Sequence, residues 1–531
     1  MKIFFSALAA MLLWAFIACN EGSRQGRPVS IQNLEFQQPA EEKESSASDK
    51  SNKDNFNTED YDNIIENKFL TPLQQPLSTF SIDVDEAAYS NVRRYLQGGS
   101  LPPAGAVRIE EMINYFDYKY PQPGSDDPFS VTTEMADCPW NKQHKLIHIG
   151  LQGKIIPVDN LPATNLVFLI DVSGSMESYN KLPLVQSSLS MLTDQLREKD
   201  KVAIVVYAGT AGLVLPATSG ADKAKIKEAI GNLHSGGSTA GGEGIKLAYK
   251  IAKENFIKGG NNRVILATDG DFNIGASSDD ELVRLIENER TSGVYLSVLG
   301  YGMGNYKDNK MQQLADKGNG NHSYIDNITE AKKVLVNEFG STLFTIAKDV
   351  KIQVEFNPAK ITAYRLIGYE NRMLAAQDFN DDQKDAGELG SGHTVTALYE
   401  VIPAGVKDDF SKSVDSLKYQ VNTKKVVASN SNEIMTIKLR YKKPTEDISR
   451  LISKVVTDDM VESTGTSDNF RFSAAVAEFG LLLRNSAFKQ QAAYSQVTEL
   501  AKSAKGADDN GYRSEFIQLV QSASSFLVAS N

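Results

Sequence analysis

The sequence predicts an α/β protein: a doubly wound, mainly parallel, Rossmann-like sheet in the middle, preceded by an N-terminal α+β module and followed by a β-rich and then helical region. Three observations carry this expectation. Between about 163 and 345, continuous apolar runs at 166–170, 202–207, 264–267 and 294–299 alternate with amphipathic stretches such as 226–233 and 282–286, the pattern of strands buried on both faces and covered by helices. Beyond 345 the runs 350–356, 395–401 and 435–441 alternate with period two, as half-buried antiparallel strands do. Near the C-terminus, Phe472, Val476, Phe479 and Leu483, and again Tyr512, Phe516, Leu519 and Val520, recur at helical spacing.

In chain order, residues 1–18 read as a secretory signal, because Lys2 precedes an apolar run that is too short for a good spanning helix and ends at Cys19. The junction resembles a bacterial lipobox, which implies cleavage before Cys19 and lipid attachment to its thiol. Residues 19–75 form the expected tether, since the stretch to about Lys68 is polar, charged and poor in aromatics, too little apolar surface to order itself. Residues 76–160 form the N-terminal module: a short strand near Ile82, a helix carrying Tyr89, Val92 and Leu96, a break at Pro102-Pro103, a second helix with Ile109, Met112, Ile113 and Phe116 on one face, then strands over 128–155. The α/β domain spans 161–345, the β-rich module, a small sandwich or open sheet, spans 346–445, and the helical region spans 446–531.

Composition narrows the function. With 531 residues, 41% hydrophobic and 23% charged, the chain is long enough for packed cores. Its net charge of -11 and lack of a basic run argue against a nucleic-acid partner. Only two cysteines are present, Cys19 and Cys138, so lipidation of Cys19 leaves no intrachain disulfide. Cys138 reads as a small buried residue.

The chemistry concentrates at three loops. Asp171-Val172-Ser173-Gly174-Ser175 follows a buried apolar strand, Gly236-Gly237-Ser238-Thr239 precedes a helical stretch, and Thr268-Asp269-Gly270 follows a second apolar strand. Asp171, Ser173, Ser175, Thr239 and Asp269 are hard oxygen donors, which suit a small divalent cation such as Mg²⁺. Open α/β sheets gather ligands at the carboxyl ends of their strands. Taken singly, each has a plainer role: Asp171, Ser173 or Thr239 as a helix cap, Asp269-Gly270 as a turn. Their joint occurrence favours the metal site.

This set is similar to the metal-ion-dependent adhesion site of von Willebrand factor type A domains, whose pattern of Asp-x-Ser-x-Ser, a distant Thr and a distant Asp is matched at all five positions. The segments 78–85 and 107–116 resemble the N-terminal module of bacterial envelope proteins carrying such a domain, and 366–372 and 468–472 resemble their C-terminal region. The resemblance implies Mg²⁺, with Mn²⁺ or Ca²⁺ as substitutes, held largely by neutral oxygens while the aspartates act mostly through water. One coordination position would stay open for a Glu or Asp carboxylate of a partner protein. The expected protein is therefore a non-enzymatic, monomeric binding lipoprotein of the bacterial envelope, most plausibly at the outer membrane through Cys19. Two alternatives are an envelope hydrolase or enzyme-complex subunit, and a scaffold whose metal is capped by an acidic residue of the same chain.

Other motifs are weaker. Asp83-Val84-Asp85 is similar to the nucleophile pair of haloacid-dehalogenase phosphatases, but lacks the downstream partners, so Asp85 is expected to cap the following helix. The acidic stretch 378–385 has calcium-loop composition without the required Gly and Glu, and reads as a solvated loop. The Gly-rich run 236–244 has no phosphate-loop Lys, and the five histidines have no zinc-protease spacing.

Overall fold

The computed structural model describes residues 59–531 apart from 125, 239–240, 271–278, 339, 341–343, 385, 412–431, 459–464 and 530–531, with the backbone alone at 279–280, 411 and 527–529. The signal segment, Cys19 and Thr239 lie outside the described residues.

The chain enters through β1 (Leu77–Ser81), α1 (Ala87–Gln97), α2 (Ile109–Asn114) and the hairpin β2 (Phe129–Cys138) and β3 (Asn141–Gly153). The α/β domain follows with β4 (Thr164–Asp171), α3 (Leu182–Gln195), β5 (Lys201–Tyr207), β6 (Ala211–Ser219), α4 (Lys223–Gly231), α5 (Gly241–Glu254), β7 (Asn261–Thr268), α6 (Asp279–Arg290), β8 (Val294–Tyr301), α7 (Asp308–Lys317), β9 (His322–Ile325) and α8 (Ile328–Lys332). Its sheet has the order β6-β5-β4-β7-β8-β9. All neighbours are parallel except β6, which pairs antiparallel with β5 at one edge. Leu166, Phe168 and Ile170 of β4 are buried in one core and Val167 and Leu169 in a second on the opposite face, which is why this strand reads as an unbroken apolar run.

The last part comprises β10 (Thr345–Phe356), β11 (Ile361–Ile367), β12 (Gly387–Gly390), β13 (Thr394–Pro403), β14 (Glu433–Lys442), β15 (Arg450–Thr457), α9 (Asp468–Leu483), α10 (Tyr494–Ser503) and α11 (Tyr512–Ala529). The expected β-rich module over 346–445 is a sandwich, but it is not self-contained, and it runs on through β15 to Thr457, so that the stretch 446–531, expected to be helical, begins with a strand that pairs with β14. One sheet runs β1-β10-β14-β15 with β12 beside β10, the other runs β11-β13-β3-β2. Both sheets therefore take strands from before and after the α/β domain. Phe80, Ile352, Val354 and Leu439 from the first sheet share a core with Ile149, Leu151, Val395 and Tyr399 from the second. The reason is arithmetic: each amphipathic strand must bury its apolar face, and neither terminal segment has enough strands to cover its own.

The helices behave likewise. Tyr89 and Val92 of α1, Met112 of α2, Phe472, Val476 and Phe479 of α9, and Phe516 and Val520 of α11 form one core that also takes Cys138 and Leu146 from the outer face of the β2–β3 hairpin. The N-terminal module, the sandwich and the helical region thus form one interleaved body. Burial pushes the Cys138 thiol pKa well up, in keeping with an inert core residue.

Two further expectations change. The tether does not extend to residue 75, because 59–75 lies against the folded body: Leu70 and Tyr364 exchange backbone hydrogen bonds at 2.9 Å, and Glu59 binds Arg94 through both carboxylate oxygens at 2.9 and 2.8 Å. Its few apolar residues escape notice in a polar stretch, yet the backbone finds a strand edge. Nor does Asp85 cap α1. Glu86 occupies the cap position without a side-chain bond, while Asp85 accepts from the His322 amide at 2.7 Å and from Arg372 at 3.1 Å.

Buried ion pairs join the α/β domain to this body. Arg108 donates to Asp308 at the start of α7 at 2.5 Å, and Arg93 reaches Asp326 and Glu330, at 2.8 Å each, around the start of α8. Removing one partner of such a pair leaves an uncompensated buried charge, at a cost of about 3–5 kcal/mol.

Glu478 of α9 gives a measurable signature. It is fully buried, its Oε1 accepts from the Ala493 amide at 3.1 Å, and burial pushes its pKa up to about 7. The folded state therefore favours the protonated acid, so the stability it contributes is present below about pH 4.5 and is lost as pH rises through 7. Glu478→Gln, which keeps the acceptor, should be indistinguishable from wild type at pH 4 and more stable by up to about 3 kcal/mol at pH 8.5 in urea unfolding.

Candidate metal centre

Parallel pairing places the acidic residues. β4 and β7 are adjacent and in register, with Ile170 opposite Ala267, so Asp171 closes one strand while Thr268 and Asp269 close its neighbour at the same end. Both aspartates are fully buried. Asp171 Oδ1 accepts from the Ser173 amide at 2.8 Å, a local turn that lifts the chain out of the strand and directs the two serines to one side. Ser173 Oγ and Ser175 Oγ stand 3.1 Å apart, Ser173 buried and Ser175 exposed.

The third loop is tied to the first. The Gly236 amide donates to the Val172 carbonyl at 2.7 Å, and the Gly174 amide donates to the Gly237 carbonyl at 3.1 Å. Gly237 holds φ +80, a left-handed conformation that favours glycine. Gly236 to Ser238 are exposed, so the site opens to solvent. Of the five expected donors, Asp171, Ser173, Ser175 and Asp269 are described. They gather at one end of the central strands.

The donor set fits a hard divalent cation: two carboxylates and two hydroxyls, all oxygen. Among the described residues no group of three or more His, Cys, Asp or Glu side chains assembles as a metal site. Burial, with repulsion from Asp269, pushes the Asp171 pKa up to about 6. Two buried carboxylates side by side are an electrostatic liability that a cation relieves.

Three residues at this centre are missed by the sequence reading. Thr268 Oγ1 donates to Asp171 Oδ2 at 3.4 Å and accepts from the Gly270 amide at 3.3 Å, linking the two strand ends. Lys181 donates to Asp269 Oδ2 at 2.7 Å, and Asn305 Nδ2 donates to the same oxygen at 3.3 Å. Thr268 could be found from its place beside Asp269. Lys181 and Asn305 follow the motif and β8 at distances that carry no periodic signal.

The doubly wound sheet and the residues at its carboxyl end define a von Willebrand factor type A domain protein. The family model for the von Willebrand factor type A domain matches residues 165–337, a model described as von Willebrand factor matches 55–148, and one described as Uncharacterized protein YfbK, C-terminal, matches 341–526. The chain belongs to the YfbK family: it is 45% identical to the uncharacterized protein YfbK of Escherichia coli (strain K12) over 476 residues, 88% of this chain and 82% of that protein. It is also similar to the uncharacterized protein sll0103 of Synechocystis, 29% identical over 188 residues, 35% of this chain and 43% of that protein. Among solved structures, the von Willebrand factor type A protein from Catenulispora acidiphila aligns with a TM-score of 0.40 at 15% identity, over 73% of this chain and 90% of that one.

Thr268→Val keeps shape but removes the hydroxyl, leaving the Gly270 amide and Asp171 each short of a partner. It should destabilise the protein by about 1–3 kcal/mol, read as a lowered urea midpoint with unchanged slope.

Proposed function

We propose that the chain is a non-enzymatic, metal-dependent protein-binding lipoprotein of the bacterial envelope. Its von Willebrand domain would hold Mg²⁺, or Mn²⁺ or Ca²⁺, through Asp171, Ser173, Ser175, Thr239 and Asp269, and engage a Glu or Asp carboxylate of a partner protein. The observation that carries this reading is the convergence of the buried Asp171, Asp269 and Ser173 beneath the exposed Ser175, with the exposed Gly236–Gly237 backbone bonded to the same loop. The bound cation would supply a Lewis-acidic centre for that carboxylate. Lipidation at Cys19 after removal of residues 1–18 would hold the protein at the membrane, with the polar stretch before residue 59 as its leash.

One observation favours the enzyme-subunit reading. A polar cavity of about 490 Å³ away from Asp171 brings together Asp83, Asp85, Asp316, His322 and Arg372. Against it, Arg372 donates to Asp83, Asp85 and Asp316 at 3.3, 3.1 and 2.8 Å, and His322 Nε2 contacts the Tyr306 hydroxyl at 2.5 Å. Burial pushes the His322 pKa down to about 3. Carboxylates gripped by one guanidinium and a neutral, hydrogen-bonded histidine suit a salt-bridged seam better than proton transfer.

Isothermal titration of Mg²⁺ into the purified protein should show one saturable site in wild type and none in Asp171→Ala. Binding of equal strength to both proteins rejects the reading. In parallel, a partner captured from envelope extract with Mg²⁺ should be released by chelator.

A further inference from the structure

Lys181 stands where a cation-binding centre would not need one. It lies in the loop between Ser175 and α3, is 7% exposed, and its ammonium forms an ion pair with the fully buried Asp269 at 2.7 Å. Asn305 Oδ1 lies 3.5 Å from the same ammonium. Gly302 makes room for the stem: a Cβ there would collide with Lys181 Cε, Cγ and Cδ, and Gly302 holds φ +77. Residues following β4, β7 and β8 thus converge on this one side chain, which is a built arrangement rather than a surface lysine that strays inward.

We propose that Lys181 is a built-in counter-ion of the metal centre, which holds the Asp269 carboxylate in place without a divalent cation and competes with that cation for it. The inference rests on the cation-site reading above. Charge bookkeeping gives its logic. Asp171 and Asp269 together carry two negative charges, which a divalent ion alone would neutralise, leaving a tightly held neutral centre. With Lys181 the same assembly carries one net positive charge. That surplus weakens the hold on the cation and is satisfied when an anionic group arrives from outside. A lysine paired with one of two buried aspartates therefore trades metal affinity for selectivity toward acidic ligands.

The test titrates Mg²⁺ alone, by calorimetry and by thermal unfolding, into the full chain as wild type, Lys181→Met and Lys181→Gln. Both variants remove the charge, and Gln keeps a donor for Asp269. Two unit charges a few ångströms apart at a protein surface are coupled strongly enough that both variants should bind Mg²⁺ about tenfold tighter or more. Mg²⁺ should also raise their melting temperatures by more than it raises that of wild type. Affinity equal to or weaker than wild type in either folded variant overturns the proposal. So does a variant that stays unfolded at saturating Mg²⁺, because the divalent ion should take over the role of the ammonium. Absence of Mg²⁺ binding in all three proteins overturns the cation-site reading itself, whereas binding to wild type without tightening in the variants overturns only the role given to Lys181.

Discussion

The in-register parallel pairing of β4 with β7 is the constraint on which the centre depends. Parallel strands end on the same side, so an acidic residue at the close of each is brought together without any contact between the loops that follow. Burial of the apolar runs fixes that register, since a slip of one residue would turn Leu166, Phe168 and Ile170 out of their core. Hydrophobic packing thereby holds Asp171 beside Asp269, whose charge Lys181 already meets at 2.7 Å. The short polar links, Ser173 amide to Asp171, Thr268 to Asp171, and Gly236 to Val172, refine a geometry that the sheet has already imposed.

The rest of the chain serves as a mount for this sheet. Arg108 and Arg93 reach from the α1–α2 region to acids at the starts of α7 and α8, so the von Willebrand domain is clamped along the same carboxyl edge of its sheet that bears Asp171 and Asp269. The contacts are buried and charged, hence directional. They fix orientation in a way that apolar contacts alone would not. Tyr89 stacks on Tyr115 with ring centroids 3.9 Å apart directly behind Arg93, a rigid backing for that guanidinium.

What the sequence disclosed follows from which signals are local. Strands β4, β5, β7 and β8 are legible because burial on both faces forces continuous apolar runs, and β10, β13 and β14 because one face of each lines the apolar sandwich core, although the opposite face of β13 is buried too and carries Thr396 and Glu400. Asp171, Ser173, Ser175 and Asp269 are legible as a cluster because each stands within a few residues of the end of an apolar strand. Partnership between distant segments is not legible. Nothing in 129–153 says that this hairpin joins β13, nor in 77–81 that it joins β10, because an antiparallel edge accepts any amphipathic strand of suitable length. Asp85 and Lys181 escaped for a related reason: their roles are set by Arg372 and Asp269, charged groups far off in the chain. The packed segment 59–75 escaped because backbone pairing at Leu70 needs no apolar pattern.

The interleaved sandwich has a kinetic corollary. β1 pairs with β10, and β3 with β13, across the entire von Willebrand domain. Closing a loop of that length in an unstructured chain is entropically expensive and slow. Once the inserted domain has collapsed, its two ends emerge as a short gap and the sandwich strands can zip. During synthesis β1 to β3 leave the ribosome long before their partners, so their unpaired edges must wait exposed. The edges of β1 and of the β2–β3 hairpin, rather than those of the central sheet, are thus the ones that stay open longest while the chain folds.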